Sequence, residues 1–390
     1  MEHLINSKVK ELEISGIRKF FNMVSHTDDL ISLTIGQPDF PTPEHVKQAG
    51  IQAIQHNFTS YTHNAGIFEL RQAASHFAEK KYGLHYNPEA EIIVTIGASE
   101  AIDIAFRTIL SEGMEVILPG PVYPGYEPLI RMCGAVPVYA DVTENQFRLT
   151  ADILQKAITP KTRCIVLPYP SNPTGVSLTK TELKEIAMLV KDREIFILAD
   201  EIYSELVYDQ DHTSIASFMK EKTILINGLS KSHSMTGWRI GFLFAPEYLT
   251  KHILKVHQYN VSCANSIAQM AALEALTAGI DDAVIMKQEY NKRRQYVYTR
   301  LTKLGLSVVK PDGAFYFFVK IPDSLGLNSF DFALDMVDKA KVAVVPGSAF
   351  SAYGEGYFRL SFASSMEVLE QAFNRIEAYL TQKLSSADQN

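Results

Sequence analysis

At 390 residues, 46% hydrophobic and 21% charged, the chain is too long for one ordinary core and has the balance of a soluble globular protein of two domains. Its formal net charge of −7 excludes the basic excess of a nucleic-acid-binding surface, yet leaves room for anion sites built from a few buried arginines. Three widely spaced cysteines (Cys133, Cys164 and Cys263), with no Cys-x-x-Cys pairing, argue against a disulfide framework or a metal centre.

In chain order, the opening Met1-Glu2-His3-Leu4-Ile5-Asn6 runs into a charged segment with no apolar core like that of a signal peptide. No apolar run is long enough to cross a bilayer, so a cytoplasmic protein without membrane contact is expected. The first forty residues lead into the proline-rich Gln37-Pro38-Asp39-Phe40-Pro41-Thr42-Pro43 and hold no series of strands. Residues 1–42 therefore read as an arm that packs elsewhere, in part with the smaller domain. From about residue 90, short β-rich runs alternate with helical patterns. Ile92-Ile93-Val94-Thr95-Ile96 reads as a buried strand, and Ser99 to Leu110 as the helix after it. Further strands are predicted at Val116-Ile117-Leu118, Val136-Pro137-Val138-Tyr139, Cys164-Ile165-Val166-Leu167, Ile195-Phe196-Ile197-Leu198, Thr223-Ile224-Leu225-Ile226 and Ile240-Gly241-Phe242-Leu243-Phe244. Near-continuous Val/Ile/Leu runs separated by helices imply an α/β fold with a mainly parallel sheet covered on both faces. The segment Thr179 to Lys191, with Thr179 as N-cap and Glu182 three residues on, carries a capping-box signature.

After about residue 280 the organisation changes. A long charged helix, Asp281 to Leu304, leads into Ala314-Phe315-Tyr316-Phe317-Phe318-Val319 and then helices near 329–340 and 366–383. The large domain is accordingly placed at 43–284 and a smaller α+β domain at 285–390, closed by a polar tail from Ser385 to Asn390.

Three features of the middle region carry chemistry. In Asn227-Gly228-Leu229-Ser230-Lys231 a lysine follows directly on a strand, where desolvation or a nearby cation lowers its pKa and makes its amine nucleophilic. Ser230 and Arg239 offer a hydroxyl and a guanidinium on the same connection, suitable for a phosphate. Taken alone, such a lysine is most often a solvated surface residue. Asp200, in Leu198-Ala199-Asp200-Glu201-Ile202-Tyr203, ends an apolar strand, where an ionised carboxylate is costly without a partner. A pyridinium N–H would be such a partner; a helix N-cap beside a core Tyr203 is the plainer alternative. Pro170-Ser171-Asn172-Pro173-Thr174-Gly175 is a stiff turn presenting Asn172, and ordinary turn chemistry also accounts for it. A fourth candidate, Gly97-Ala98-Ser99-Glu100-Ala101, is a small-residue junction whose helix N-terminus suits a phosphate.

Together these motifs resemble the fold-type I, class I pyridoxal-phosphate aminotransferases of the aspartate aminotransferase superfamily. The resemblance runs from Gly36-Gln37-Pro38-Asp39-Phe40 through Tyr61, the Asn-Pro-Thr-Gly loop, Asp200-x-x-Tyr203 and Ser230-Lys231 to Arg359. Within that family the chain looks closest to the bacterial aminotransferase A group, which includes N-acetyl-LL-diaminopimelate aminotransferases and aromatic aminotransferase relatives. The resemblance implies a seven-stranded large domain that binds pyridoxal 5′-phosphate, and a homodimer with shared active sites. It implies that Lys231 holds the cofactor as a Schiff base and then shuttles the α-proton. Asp200 would pair with the pyridine nitrogen, and Tyr203 and Asn172 with the ring's phenolic oxygen. Ala98, Ser99, Ser230 and Arg239 would bind the phosphate, reached by Tyr61 from the partner. Tyr123 would stack on the ring. Arg359 would grip the substrate α-carboxylate, with Gly36 and Asn172 also at the substrate.

Two departures narrow the substrate. Gly228 stands where many relatives carry a second phosphate-binding hydroxyl, and no clear second arginine awaits a dicarboxylic side chain. Arg18, in Ser15-Gly16-Ile17-Arg18-Lys19-Phe20, is a candidate for that role or simply a surface charge. Strict aspartate specificity is therefore disfavoured. Transamination between an amino acid, N-acetyl-LL-diaminopimelate or an aromatic one, and a 2-oxo acid such as 2-oxoglutarate is the expected reaction. A carbon–sulfur β-lyase on the same fold is the alternative within the class. A non-catalytic ligand-binding regulator is disfavoured because such proteins usually carry an added DNA-binding segment.

Overall fold

Strands that are apolar at every position need helices on both faces, and the computed structural model, which describes residues 1–387, supplies them. Its strands are β1 (Ile31–Ser32), β2 (Ile92–Thr95), β3 (Glu115–Gly120), β4 (Val136–Asp141), β5 (Thr162–Leu167), β6 (Phe196–Asp200), β7 (Thr223–Gly228), β8 (Gly241–Phe244), β9 (Tyr316–Lys320), β10 (Val342–Ala343), β11 (Val345–Pro346) and β12 (Tyr357–Ser361). The large sheet has the order β2-β8-β7-β6-β5-β3-β4, with only β8 antiparallel to its neighbours. Alternation divides its side chains between two cores. Ile165, Ile197 and Leu225 face helices Phe68–Tyr82, Lys180–Val190 and Ser266–Leu276. Val166, Leu198 and Ile224 face helices Gly97–Ile109 and Glu247–Val261.

The capping box forms as its spacing demands. The Thr179 hydroxyl accepts from the Glu182 N–H at 3.2 Å, and the Glu182 carboxylate accepts from the Thr179 N–H at 2.6 Å. It starts the helix that covers β5 and β6.

A smaller sheet, β11-β12-β9, is antiparallel and packs on helices Ala283–Lys303, Ser329–Ala340 and Met366–Ala387. The N-terminal arm joins this smaller unit. Phe20 and Val24 of helix Gly16–Val24 and Leu33 lie in its core, and β1 pairs in parallel with β10. The expected domain boundary at 284/285 falls inside helix Ala283–Lys303. Of the polar tail, Ser385 to Ala387 complete the last helix, while 388–390 lie outside the described residues. Among the described residues, no helix is long and apolar enough to cross a membrane.

Candidate active site

Parallel strands point their carboxyl ends at one edge of a sheet, so side chains distant in sequence converge there. From β2 the chain enters the helix carrying Ala98 and Ser99; from β3 it reaches Tyr123 and Tyr126; from β5, Asn172. Asp200 ends β6 with Tyr203 just beyond, and Ser230 and Lys231 follow β7. The antiparallel β8 begins at the same edge, which places Arg239 there, and β12 of the smaller sheet adds Arg359. All of these groups, with Gly36, line one cavity of about 440 Å³. Tyr61 does not: it stands 88% exposed, away from the cavity. Arg18 is also exposed and outside the wall, although its neighbour Ile17 is part of it.

The Lys231 amine donates to the Gly36 carbonyl at 2.5 Å and lies over the rings of Tyr203 and Phe315. Desolvation, reinforced by the cations of Arg359 and Arg239 and opposed by Asp200, lowers its pKa to about 8. Near neutrality it therefore exposes a useful fraction of free amine, which an ordinary lysine does not.

Asp200 is buried, and burial raises its pKa. Two hydrogen bonds restrain that rise: the Tyr126 hydroxyl donates at 2.7 Å and the Ile202 N–H at 3.2 Å. No ion-pair partner within 4 Å is present among the described residues, so the carboxylate faces the cavity with its charge uncompensated. A cationic N–H donor would complete it.

Arg359 is 2% exposed. Its Nη1 donates to the Asn172 side-chain oxygen at 2.8 Å and its Nη2 to the Thr34 carbonyl at 2.7 Å, while the guanidinium lies over Tyr316 and Phe350. Its Nε is buried without a hydrogen-bond partner. A buried guanidinium with an unused donor and no carboxylate beside it is a ready receptor for one. Tyr203 shares a 2.9 Å hydroxyl contact with Tyr316, and burial pushes both phenols up, so both remain protonated donors.

Opposite these groups is a cup with a positive lining. Helix Gly97–Ile109 opens without a side-chain cap, leaving first-turn amides free to bind an anion. Arg239 holds a left-handed backbone, φ +54°, a strained conformation that fits functional positioning. A Cβ on Gly97 would lie 2.6 Å from the Arg239 guanidinium, and one on Gly241 would lie 2.6 Å from the Gly97 carbonyl carbon. Glycine at both positions is what lets arginine, helix end and strand meet. Gly228, the noted departure, is not in the wall; it packs against Gly241 and Ile240, while Thr236 lines the cavity and its carbonyl accepts from Arg239 Nη1 at 3.1 Å.

Sequence reading missed Tyr126, Tyr316, Thr34 and Thr236. Tyr126 opens helix Tyr126–Met132 and meets the Tyr123 ring edge to face, a contact that no periodic pattern marks because Tyr123 precedes the helix. Tyr316 opens β9, and alternation gives only a face, not a hydroxyl partner.

The class I and II aminotransferase family model matches residues 28–376. A probable N-acetyl-LL-diaminopimelate aminotransferase of Bacillus subtilis is 62% identical over 98% of this chain and 97% of its own. Aromatic-amino-acid aminotransferase 2 of Thermococcus litoralis is 42% identical over 97% and 99%. The crystal structure of an aromatic aminotransferase from Pyrococcus horikoshii superimposes with a TM-score of 0.89 at 40% identity, over 94% of this chain and 99% of the other. With a cavity that joins a low-pKa amine, a carboxylate without an ion-pair partner, a buried guanidinium and an anion cup, and with these relatives along its whole length, the chain belongs to the class I and II aminotransferases.

Proposed function

We propose that the protein is a cytoplasmic homodimer that carries pyridoxal 5′-phosphate on Lys231 and moves the amino group of N-acetyl-LL-diaminopimelate to 2-oxoglutarate. Enzymes of this family generally depend on that cofactor, and the residues present fit it. Lys231 would hold its aldehyde carbon, Asp200 its ring nitrogen, and Tyr203 and Asn172 its phenolic oxygen. Tyr123 would lie against the ring. The amides of Ala98 and Ser99, with Ser230 and Arg239, would hold the phosphate. When bound, the cofactor supplies an electrophilic carbon and a ring that delocalises the negative charge left by loss of the α-proton.

The chain's own groups do the rest. The free Nζ of Lys231 would take the α-proton and return it two atoms along, on the far side of the substrate nitrogen, a role suited to its lowered pKa. Arg359 binds the α-carboxylate and fixes the direction of the breaking C–H bond, and Asn172, tied to Arg359, keeps both contacts in register. Tyr61, unused by its own cavity, suits the phosphate of a neighbouring subunit. Arg18, next to the cavity-lining Ile17, is proposed to meet the distal carboxylate of the donor.

The observation that carries this reading is the lowered-pKa amine set between an uncompensated carboxylate and a buried guanidinium. The donor follows the 62% identical relative. A panel with 2-oxoglutarate as acceptor tests it, comparing N-acetyl-LL-diaminopimelate with phenylalanine, tyrosine, aspartate and alanine. The expected result is conversion of bound cofactor to its amine form by the donor, reversal by the 2-oxo acid, and the highest kcat/KM for N-acetyl-LL-diaminopimelate. Preference for an aromatic donor would replace the substrate assignment. Pyruvate and ammonia released from cystathionine without an acceptor would mark a β-lyase instead.

A further inference from the structure

Helix Gly97–Ile109, which supplies the amides of the anion cup, carries a carboxylate in its own first turn. Glu100 reaches back along the helix, and its Oε2 accepts from the Ile96 N–H at 2.6 Å. That bond fixes the entry to the helix, yet it sets a second negative group at the end where an anion is to bind. Carboxylate and anion would draw on one dipole and one set of first-turn donors. The other oxygen, Oε1, meets Nδ1 of His257 at 2.8 Å. His257 comes from helix Glu247–Val261 and its side chain is wholly buried, while that of Glu100 is 10% exposed. The second ring nitrogen, Nε2, faces the Asn64 carbonyl at 2.9 Å. Among the described residues, Glu100 has no other ion-pair partner within 4 Å.

A carbonyl can only accept, so Nε2 carries a hydrogen. Nδ1 and an ionised Glu100 then cannot face each other bare, because both would present lone pairs. One proton lies between them, either on Nδ1 as an imidazolium beside a carboxylate or on Oε1 as a carboxylic acid beside a neutral ring. Both placements leave the pair without net charge. We infer that His257 is a positioning residue for the cofactor's phosphate: by holding this proton with Glu100, it lets the carboxylate shape the helix start without its charge opposing the phosphate. The inference rests on the assignment of the anion cup to that phosphate. Without the ring, Glu100 keeps its bond to Ile96 but leaves an uncompensated negative charge behind the cup.

The test titrates the cofactor-free, full-length protein with pyridoxal 5′-phosphate and with pyridoxal, which differ only in the phosphate, and follows fluorescence. The wild type should bind the phosphorylated form more tightly. His257→Gln can donate an N–H but cannot carry the extra proton. It should narrow that preference by about 10-fold, the scale of one poorly screened charge beside a phosphate, with the affinity for pyridoxal unchanged. Adding Glu100→Gln to the same chain removes the unpaired charge and should restore the preference. A merely structural role would weaken both ligands alike and would not be rescued. An unchanged preference in His257→Gln, equal losses for the two ligands, or no rescue overturns the inference and leaves the cup assignment standing. A wild type without preference for the phosphorylated form overturns both. Neutron diffraction from deuterium-exchanged wild-type crystals needs no variant and serves even where His257→Gln does not fold. It should show one deuterium on Nε2 and a second between Nδ1 and Glu100 Oε1. A ring with a single deuterium, and none between Nδ1 and Oε1, also overturns the inference.

Discussion

Lys231 titrates where enzyme chemistry needs it because protein replaces water around its amine and two arginines repel its proton. With the folded pKa near 8 and an unfolded value of about 10.4, the unfolded chain holds more protons across that window. Stability of the cofactor-free protein should therefore rise with pH between those values, and the burden of a buried ammonium is fully present below them. Lys231→Met should abolish transamination yet stabilise the cofactor-free protein at pH 7 by about 2 kcal/mol, measured by urea unfolding. Loss of stability in that variant would contradict the desolvated-amine account. Arg359 makes the complementary case. Lysine cannot reproduce a planar fork that reaches Asn172, Thr34 and a carboxylate at once. Arg359→Lys should raise KM for every amino donor by about 100-fold through lost charge-assisted bonds. An unchanged KM in steady-state kinetics would remove Arg359 from the substrate.

At the scale of the elements, the site depends on where strands stop and on what their ends can approach. Gly241→Ala would press a Cβ against the Gly97 backbone at 2.6 Å, forcing the anion cup open. It should weaken cofactor affinity by about 10-fold or more, the size of one lost charge-assisted contact, read by fluorescence titration of the cofactor-free protein. Thr179→Ala, on a helix whose cap is remote from the cavity, should cost about 1 kcal/mol and leave kcat/KM unchanged. Much of this framework was legible from the residues. The apolar runs at Ile92, Cys164 and Thr223 identify central strands because burial on both faces removes polar alternation. Lys231, Asp200 and Asn172 could be singled out because they break apolar or turn patterns at strand ends. The ends themselves were read short: β3 continues through Pro119 and Gly120, residues that carry no strand signal. β1 and β10, two residues each, exist only because they pair with one another across the chain, which no local pattern reveals. Tyr126 escaped notice for a related reason: its importance lies in a partner 74 positions away.

The wall of the cavity includes a chain segment that lies far from Lys231 in sequence. Thr34 and Gly36 of the arm receive hydrogen bonds from Arg359 and Lys231, and Asp39 is anchored by Arg293 and Tyr290 of the long helix. Asp39→Asn should therefore raise KM modestly and lower stability by about 1 kcal/mol, a half-buried ion pair being only partly shielded from water. Thermal unfolding together with steady-state kinetics checks both. The small sheet, the arm and the large sheet thus meet at one place, and that place is defined by a single amine. Borohydride reduction of the cofactor-loaded enzyme followed by peptide mass spectrometry tests this most directly. The expected result is a reduced pyridoxyl group on Lys231 and none in Lys231→Ala, which should be inactive. Label on another lysine, or an active Lys231→Ala enzyme, would contradict the account.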